Sequence, residues 1–328
     1  MTATRGLRRK RLPLAVALLL LVAGCGGDDD DDDATPTTPT SPSTSVDDRV
    51  RRSRELFAGL GDDDPHGCTA AVSRDGEVVW AEAFGGDLTV DTPVDIASTS
   101  KQFTATAVLL LELDLESALS EYVDGLPEWA DHVTLRSVMH MQSGIPDYLG
   151  ILDDDETTTN EDAVAALADV ELEEPDYSNS NYVLLAEVVE AVTGEPFPTW
   201  VAANVFEPAG FDAVVEPVGP YQQYGDGSVR TTPSELVEWA SQYWSPTVGP
   251  PDINDRRLEN AEAYGAGIIL EPDDPLGPLL WHDGAWDAIT TFDLLPESRL
   301  AAAATCTDED MPEAEEDNAY RLLEIWSA

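Results

Sequence analysis

Two residues near position 100 have the types and the spacing of a nucleophile and its base. Ser98 and Lys101 open a long apolar segment without glycine or proline, so they are predicted to share one face of a helix. A serine hydroxyl attacks a carbonyl efficiently only when a base removes its proton, and an amine at this position can do so. Ser-x-x-Lys is common on helices, but Lys101 is the single lysine after Lys10. This use of lysine favours a chemical role for the amine.

A second polar segment can contribute to the same site. Tyr177 and Asn179 precede a predicted helix in an extended loop, where alternate residues point the same way. A tyrosine beside a lysine ammonium can share the role of general base, and Asn179 can orient Lys101 and a substrate amide. Taken alone, the segment is more simply interpreted as a turn with a packed tyrosine.

A third segment lies late in the chain. His282 and Gly284 begin a predicted strand, where a glycine would let a substrate backbone lie close to the strand edge. The N–H of Ala285, together with that of Ser98, could then form an oxyanion hole. A lone histidine is more often structural, but the other histidines of the chain are placed less favourably for chemistry.

The elements that must position these residues come from both ends of the folded part. Strands are predicted at 68–73, 77–84, 280–288, 289–295 and 300–306, and helices at about 46–60, 98–115, 181–192 and 320–326. A further helix is predicted to begin at Thr232, where Thr-Pro-Ser-Glu has the form of a capping box. Strands at both ends with helices between them predict one sheet plus a helical subdomain. A cleft is expected where the two parts meet.

The order of the three motifs, Ser-x-x-Lys, Tyr-x-Asn and His-x-Gly, resembles that of the serine β-lactamase and penicillin-binding protein family. The forms of the last two are similar to the branch that holds class C β-lactamases, D-alanyl-D-alanine carboxypeptidases and related esterases. The flanking segments that also resemble the family are Asp95–Ala105, Met139–Tyr148, Tyr177–Leu185, Phe206–Gly210, Gly225–Leu236 and Tyr264–Ile268. The resemblance covers about 67–304, nearly the whole folded part.

The resemblance implies an α/β (α+β) fold of the β-lactamase/transpeptidase type, with an antiparallel sheet made from both chain termini and flanked by helices. It implies an acyl-enzyme at Ser98, with Lys101 and Tyr177 moving the proton and no metal or cofactor. The expected substrate is a D-alanyl peptide, a small ester or a β-lactam, and histidine at position 282 argues slightly against a dedicated β-lactamase. In the family the first strand lies antiparallel to the last, which implies that Cys68 and Cys306 are neighbours and able to form a disulfide.

The N-terminal segment is typical of an exported lipoprotein. Residues 1–24 combine a basic start, a short apolar run and a Val-Ala-Gly-Cys ending, which together predict a lipoprotein signal peptide. Cys25 is then the lipid anchor, residues 25–46 are a disordered acidic and Thr-Pro-Ser tether, and residues 47–328 form the hydrolase domain. The expected location is the extracytoplasmic face of the cell membrane. A soluble secreted protein is the simpler alternative.

The charge of the chain restricts its partners. The net charge is −48, and removing the signal leaves 12 basic against 65 acidic residues, a net charge of −53. This charge disfavours nucleic acid and anionic membrane surfaces as partners, so the expected partners are a small-molecule or peptide substrate and the membrane through the lipid anchor only. The near absence of lysine together with so many acids is typical of adaptation to high salt. The alternative function is a non-catalytic lipoprotein that binds peptides or cell-wall fragments on the same fold.

Overall fold

The computed structural model describes residues 45–60, 66–152, 157–217, 219, 221–286, 288–307 and 317–328. The predicted signal peptide, Cys25 and nearly all of the predicted tether lie outside these residues, so everything below concerns 46–328. Within the described ranges, no helix combines the length and the hydrophobicity needed to cross a bilayer.

Strands lie near both ends of the described chain and mostly helices lie between them, as the sequence predicts. The strands are β1 (Gly67–Arg74), β2 (Glu77–Gly85), β3 (Val94–Asp95), β4 (Val214–Val215), β5 (Val229–Thr231), β6 (Ile269–Glu271), β7 (Leu279–Ala285), β8 (Ile289–Leu295) and β9 (Leu300–Cys306). The α-helices are α1 (Val46–Glu55), α2 (Lys101–Leu110), α3 (Leu135–Met139), α4 (Asn160–Ala166), α5 (Ser180–Thr193), α6 (Phe197–Val201), α7 (Glu207–Ala209), α8 (Pro233–Trp239), α9 (Ile253–Leu258) and α10 (Asn318–Ser327).

The main sheet is built from both ends of the folded chain, which confirms the predicted architecture. Its strand order is β2-β1-β9-β8-β7-β6, and every neighbouring pair is antiparallel. Asp75 and Gly76 both have positive φ in the turn between β1 and β2, as a two-residue hairpin of this hand requires. A second, small sheet has the order β3-β5-β4.

Small side chains on the central strand β9 allow helices to pack closely on both faces of the sheet. Successive residues of a strand point to opposite faces, so Ala301 and Ala303 pack in the core that contains α2, α5 and α8. Ala302 and Ala304 pack in a separate core with α10. The sheet is therefore covered on both faces, and the helical subdomain lies on the first of them.

Cys68 and Cys306 are joined by a disulfide. They face each other directly in the β1–β9 register, with their Cα atoms 4.1 Å apart. The neighbourhood that the family resemblance implied is therefore present in the structure. Because β1 and β9 come from opposite ends of the folded chain, this bond connects the two termini of the domain across 238 residues.

Helix boundaries differ from the predictions in two places. The helix predicted over 98–115 is a 3-10 turn at 97–100 followed by α2, which ends at Leu110 because Glu112 takes a left-handed φ of 52°. α1 ends at Glu55 instead of about residue 60. By contrast, α5 ends at Gly194 with a left-handed φ of 71°, and the capping box at Thr232 forms as predicted.

Candidate active site

Ser98 lies in a tight turn that leads from β3 into α2. Residues 97–100 form this 3-10 turn, which we call the nucleophile turn. Ala97, directly before Ser98, has a φ of 46°, a left-handed conformation that costs a residue with a side chain about 1 kcal/mol or more. The Asp95 carboxylate accepts a hydrogen bond from the Ala97 N–H at 2.8 Å and helps to hold this conformation. The strained backbone therefore fixes where the Ser98 hydroxyl lies.

Lys101 is fully buried, and its ammonium contacts three oxygen atoms. Nζ lies 2.8 Å from Ser98 Oγ, 2.7 Å from Asn179 Oδ1 and 2.8 Å from the Asp226 carbonyl oxygen. The amide and carbonyl oxygens can only accept hydrogen bonds, whereas the serine hydroxyl can also donate. An ammonium donates to all three, and a neutral amine keeps two hydrogens for the pure acceptors and turns its lone pair to the hydroxyl. The contacts therefore suit both protonation states of a general base.

The orientation of Asn179 is fixed by a carboxylate that sequence reasoning did not single out. Asn179 donates to Asp147 Oδ2 twice, from Nδ2 at 2.9 Å and from its backbone N–H at 3.1 Å. Because the amide nitrogen is held by Asp147, the amide oxygen must face Lys101. Asp147 lies in the Met139–Tyr148 segment that carried part of the resemblance, but its contact with position 179 depends on the fold.

Tyr177 covers the mouth of the site, and 37% of its surface is exposed. Lys101 Nζ lies 5.0 Å from the centre of its ring, within the range of a cation–π contact. The ring also packs edge-on against Tyr264 at 6.1 Å and lies 6.2 Å from the His282 ring. Within the described residues its hydroxyl forms no hydrogen bond, so this group is available to a substrate.

His282 is buried and both of its ring nitrogens contact protein groups. Nδ1 lies 2.6 Å from the Asp283 carbonyl oxygen, which can only accept, so Nδ1 carries the hydrogen. Nε2 then accepts from the Tyr264 hydroxyl at 2.9 Å. Burial, helped by the positive charge of Lys101, lowers the pKa of His282 to about 3, so the ring is neutral near pH 7. Tyr264 belongs to a segment of the resemblance, but sequence reasoning gave it no role.

Gly284 is required by a close approach of backbone to backbone. A Cβ at this position would lie 2.1 Å from the Ile96 carbonyl oxygen and 3.0 Å from the Ser98 nitrogen. The sequence-based reason for this glycine, room for a substrate backbone, needs correction, because the protein's own nucleophile turn occupies that space. The contact places the Ser98 N–H beside the end of β7, where the exposed Ala285 follows. The predicted pairing of these two N–H groups as an oxyanion hole stays a prediction.

A buried acid lies behind Lys101 and was also missed. The side chain of Asp226 accepts a hydrogen bond from the Tyr148 hydroxyl at 3.0 Å, and both residues are buried. Burial raises the pKa of Asp226, and the nearby charge of Lys101 opposes that shift. Burial and the neighbouring Asp226 raise the pKa of Tyr148, which therefore stays a hydrogen-bond donor. Among the described residues, no cluster of three or more His, Cys, Asp or Glu side chains is arranged to hold a metal ion.

Known proteins are similar to this chain in sequence and in fold. Penicillin-binding protein 4* of Bacillus subtilis is 26% identical over an alignment of 303 positions, which covers 72% of this chain and 67% of that protein. A D-aminopeptidase of Cereibacter sphaeroides is 32% identical over an alignment of 174 positions, which covers 47% of this chain and 33% of that protein. The chain thus spans about two thirds of the first relative and one third of the second.

Solved structures agree on the fold. D-amino acid amidase from Ochrobactrum anthropi SV3 superposes with a TM-score of 0.71 at 19% identity, covering 85% of this chain and 98% of that one. The octameric penicillin-binding protein homologue from Pyrococcus abyssi gives a TM-score of 0.70 at 21% identity, covering 85% and 77%. A model of the family described as Beta-lactamase matches residues 54–325. The chain therefore belongs to the Beta-lactamase family, as a serine hydrolase related to penicillin-binding proteins and D-aminopeptidases.

Proposed function

We propose that the protein hydrolyses a carboxylic ester or amide through an acyl-enzyme on Ser98. The observation that carries this proposal is the 2.8 Å contact between Lys101 Nζ and Ser98 Oγ. The other hydrogens of the amine are held by Asn179 Oδ1 and the Asp226 carbonyl oxygen, which can only accept hydrogen bonds. A neutral Lys101 takes the hydroxyl proton while Ser98 Oγ bonds to the substrate carbonyl carbon. The N–H groups of Ser98 and Ala285 would bind the oxyanion that develops.

The same groups can complete the turnover. When the tetrahedral intermediate collapses, the carbonyl–leaving-group bond breaks, and the proton held by Lys101 passes to the leaving oxygen or nitrogen. Tyr177 is placed to relay that proton, since its ring covers Lys101 and its hydroxyl has no partner in the described protein. Water then attacks the acyl carbon and gives a proton to Lys101. The bond from that carbon to Ser98 Oγ breaks, Lys101 returns the proton to Oγ, and the acid leaves. Asn179 keeps the amine in place throughout, because Asp147 holds its amide.

The relatives suggest the substrate class. Their names specify a penicillin-binding protein, a D-aminopeptidase and a D-amino acid amidase. A D-alanyl peptide, an amide of a D-amino acid, a small ester and a β-lactam all present a carbonyl that Ser98 could attack. These names favour esters and amides of D-amino acids as the first substrates to test.

The proposed setting is outside the cell. The signal at 1–24 and the cysteine at position 25 support export and a lipid anchor on the extracytoplasmic face of the membrane. Labelling of the expressed protein with a radioactive fatty acid, lost in Cys25→Ala, would support the anchor, and equal labelling of both would rule out this position. The strongly acidic composition also supports activity that rises with ionic strength, since salt screens the repulsion among the carboxylates. Equal turnover in dilute buffer and in molar salt would contradict that expectation.

The nucleophile can be tested with an uncharged fluorophosphonate probe, which transfers its phosphonyl group to an activated serine and releases fluoride. Intact mass should show one adduct in the wild type and none in Ser98→Ala, together with loss of p-nitrophenyl acetate hydrolysis. Ser178→Ala is the matched control, since this buried hydroxyl near the site has no hydrogen-bond partner among the described residues. Its adduct and turnover should equal those of the wild type. A wild type with neither adduct nor turnover would instead support the non-catalytic binding lipoprotein.

A further inference from the structure

The supply of positive charge in the folded chain is small and can be counted completely. After residue 45 the sequence holds Lys101 and 11 arginines, and the stretches that the structure leaves undescribed in this part contain neither lysine nor arginine. Every basic side chain of the domain therefore lies on a described residue. Any charge-based recognition of a substrate anion must use one of these groups or a protonated histidine.

Most of the arginines lie on the face of the sheet away from Ser98. His282 and Gly284 point to the same side of β7 as Leu280, which packs in the core with α2 and α8. α1 and α10 contribute to the other core, on the opposite face. The arginines of α1, of α10 and of the β1–β2 end of the sheet are Arg49, Arg51, Arg52, Arg54, Arg74, Arg299 and Arg321.

The remaining four arginines contact other protein groups. Arg136 pairs with Glu116 at 2.6 Å and Glu259 at 2.9 Å. Arg230 lies 3.8 Å from Glu216 and donates to a backbone carbonyl. Their hydrogen bonds involve none of the side chains around Ser98.

Arg256 and Arg257 donate hydrogen bonds to main-chain carbonyl oxygens on the far side of α2. Arg256 donates to the carbonyl oxygens of Leu109 and Leu113 at 3.0 and 3.2 Å. Arg257 is buried and donates to the Ala266 carbonyl at 2.8 Å and to Thr106 Oγ1 at 2.7 Å. Both guanidinium groups are therefore occupied by main chain or by a side chain of α2.

The groups that do surround Ser98 carry no positive charge available to a substrate. Lys101 must be neutral to take the Ser98 proton and directs its hydrogens at protein oxygens, and His282 is neutral with both nitrogens occupied. The tyrosines nearest Lys101 are Tyr177 and Tyr182, whose ring centres lie 5.0 and 5.8 Å from Nζ. Tyr148 and Tyr264 are hydrogen-bonded to Asp226 and His282, and two acids complete the set of titratable groups. These acids, Asp147 and Asp226, lie on the far side of Asn179 and Lys101. An anionic substrate group would therefore find no counter-ion beside Ser98, and two acids lie behind the groups that it would contact.

We infer that the site selects esters and amides whose leaving group bears no carboxylate and whose acyl part can carry an ammonium, and that it discriminates against peptides ending in a free carboxylate and against β-lactam acids. This inference rests on the proposed acyl transfer at Ser98. A substrate carboxylate would enter a region of like charge without a counter-ion, whereas an α-ammonium on the acyl side gains from the same field. In the reaction, the carbonyl–nitrogen bond of an amino acid amide breaks, and the departing amine takes the proton from Lys101.

A pair of substrates that differ only in one charge tests the inference. Acetyl-D-alanyl-D-alanine and its C-terminal carboxamide place the same scissile bond beside a carboxylate or a neutral amide. We expect kcat/KM for the carboxamide to be higher by about tenfold or more at 0.15 M salt. The ratio should fall toward unity at 2 M salt, because the screening length drops from about 8 Å to below about 3 Å. A preference set by shape would not respond to salt.

Two variants locate the effect. Asp176→Asn removes a charge from the exposed residue beside Tyr177 and keeps the acceptor for the Tyr177 N–H. It should therefore lower the ratio of kcat/KM for the carboxamide to kcat/KM for the carboxylate. Glu55→Gln removes a charge from α1 and should leave the ratio unchanged. An equal or higher kcat/KM for the carboxylate, or a ratio insensitive to both salt and Asp176→Asn, overturns the inference. If p-nitrophenyl acetate hydrolysis that depends on Ser98 persists in the same preparation, the proposed function survives that result. If that hydrolysis is absent, the result contradicts both the inference and the proposed function.

Discussion

Replacing Gly284 with alanine tests how closely β7 and the nucleophile turn are packed. The added Cβ would lie 2.1 Å from the Ile96 carbonyl oxygen, whereas real Cβ atoms essentially never come within 3.0 Å of such a group. The turn and the strand must therefore move apart by at least 0.9 Å. A displacement of about 1 Å in a catalytic group lowers the rate by about 100-fold. We expect kcat/KM for p-nitrophenyl acetate to fall by that factor in Gly284→Ala.

Gly227, in the loop before β5, faces the same turn and provides a matched control. A Cβ there would lie 3.8 Å from the Ala97 carbonyl oxygen, an ordinary contact, and its φ lies outside the left-handed region. Gly227→Ala should therefore keep kcat/KM within about twofold of the wild type. Urea unfolding should show that Gly284→Ala is also destabilised, by about 1–3 kcal/mol, because overpacking strains a close backbone contact.

The result that would refute this reasoning is specific. If Gly284→Ala keeps more than half of the wild-type activity, then the nucleophile turn tolerates a shift of nearly an ångström, and its strained backbone does not control the position of Ser98. If both alanine variants lose activity equally, the loss comes from the added methyl groups in general. The rate of fluorophosphonate labelling would distinguish a misplaced nucleophile from a blocked substrate path.

Three further predictions concern stability and protonation. Cys68→Ala with Cys306→Ala should lower the free energy of unfolding by up to about 5 kcal/mol, since the bond closes a loop of 238 residues; identical urea midpoints with and without reductant would contradict this. Tyr264→Phe should cost about 1–3 kcal/mol, because it leaves the buried Nε2 of His282 without a donor, and an unchanged urea midpoint would argue against that bond. The His282 ring should show no titration by NMR between pH 8 and about 5, since its pKa is about 3, and a midpoint near 6.5 would contradict its burial. Below pH 6.5 the His282 ring binds a proton in the unfolded chain but not in the folded protein. The free energy of unfolding should therefore fall by about 1.4 kcal/mol per pH unit as the pH falls toward 3.

The separate helices and strands and the Ser98–Lys101 pair were predictable because their signals are local, whereas the pairing of the first strand with the last came from the family resemblance. The capping box at Thr232 and the short strand-like runs near both ends of the folded part each specify structure within a few residues. The spacing of Ser98 and Lys101 needs only a helical turn to bring the side chains together, and the structure joins them at 2.8 Å. For such features the sequence separation is short, so the backbone geometry follows from the residues themselves.

The contacts that orient the site could not be predicted, since they join distant parts of the chain. Asp147 contacts Asn179 across 32 residues, and Tyr264 contacts His282 across 18. The helical pattern from Ser98 onward gives no sign of the 3-10 turn, because the left-handed φ of Ala97 is held by packing against β7 and not by its residue type. A glycine in a strand signals a close approach, but only the fold shows which backbone approaches.

The lysine at the centre of the site explains an otherwise odd feature of the composition. Its three acceptors come from the nucleophile turn, the start of α5 and the loop before β5, and all lie within 2.8 Å of Nζ only when these three segments are packed together. A surface cation in this acidic chain can be an arginine, and all but one of the cations after residue 45 are arginines. A guanidinium stays charged at any physiological pH and has no lone pair to accept a proton from serine. Arginine can therefore replace lysine everywhere in this domain except at the one position where the amine must lose and regain its proton.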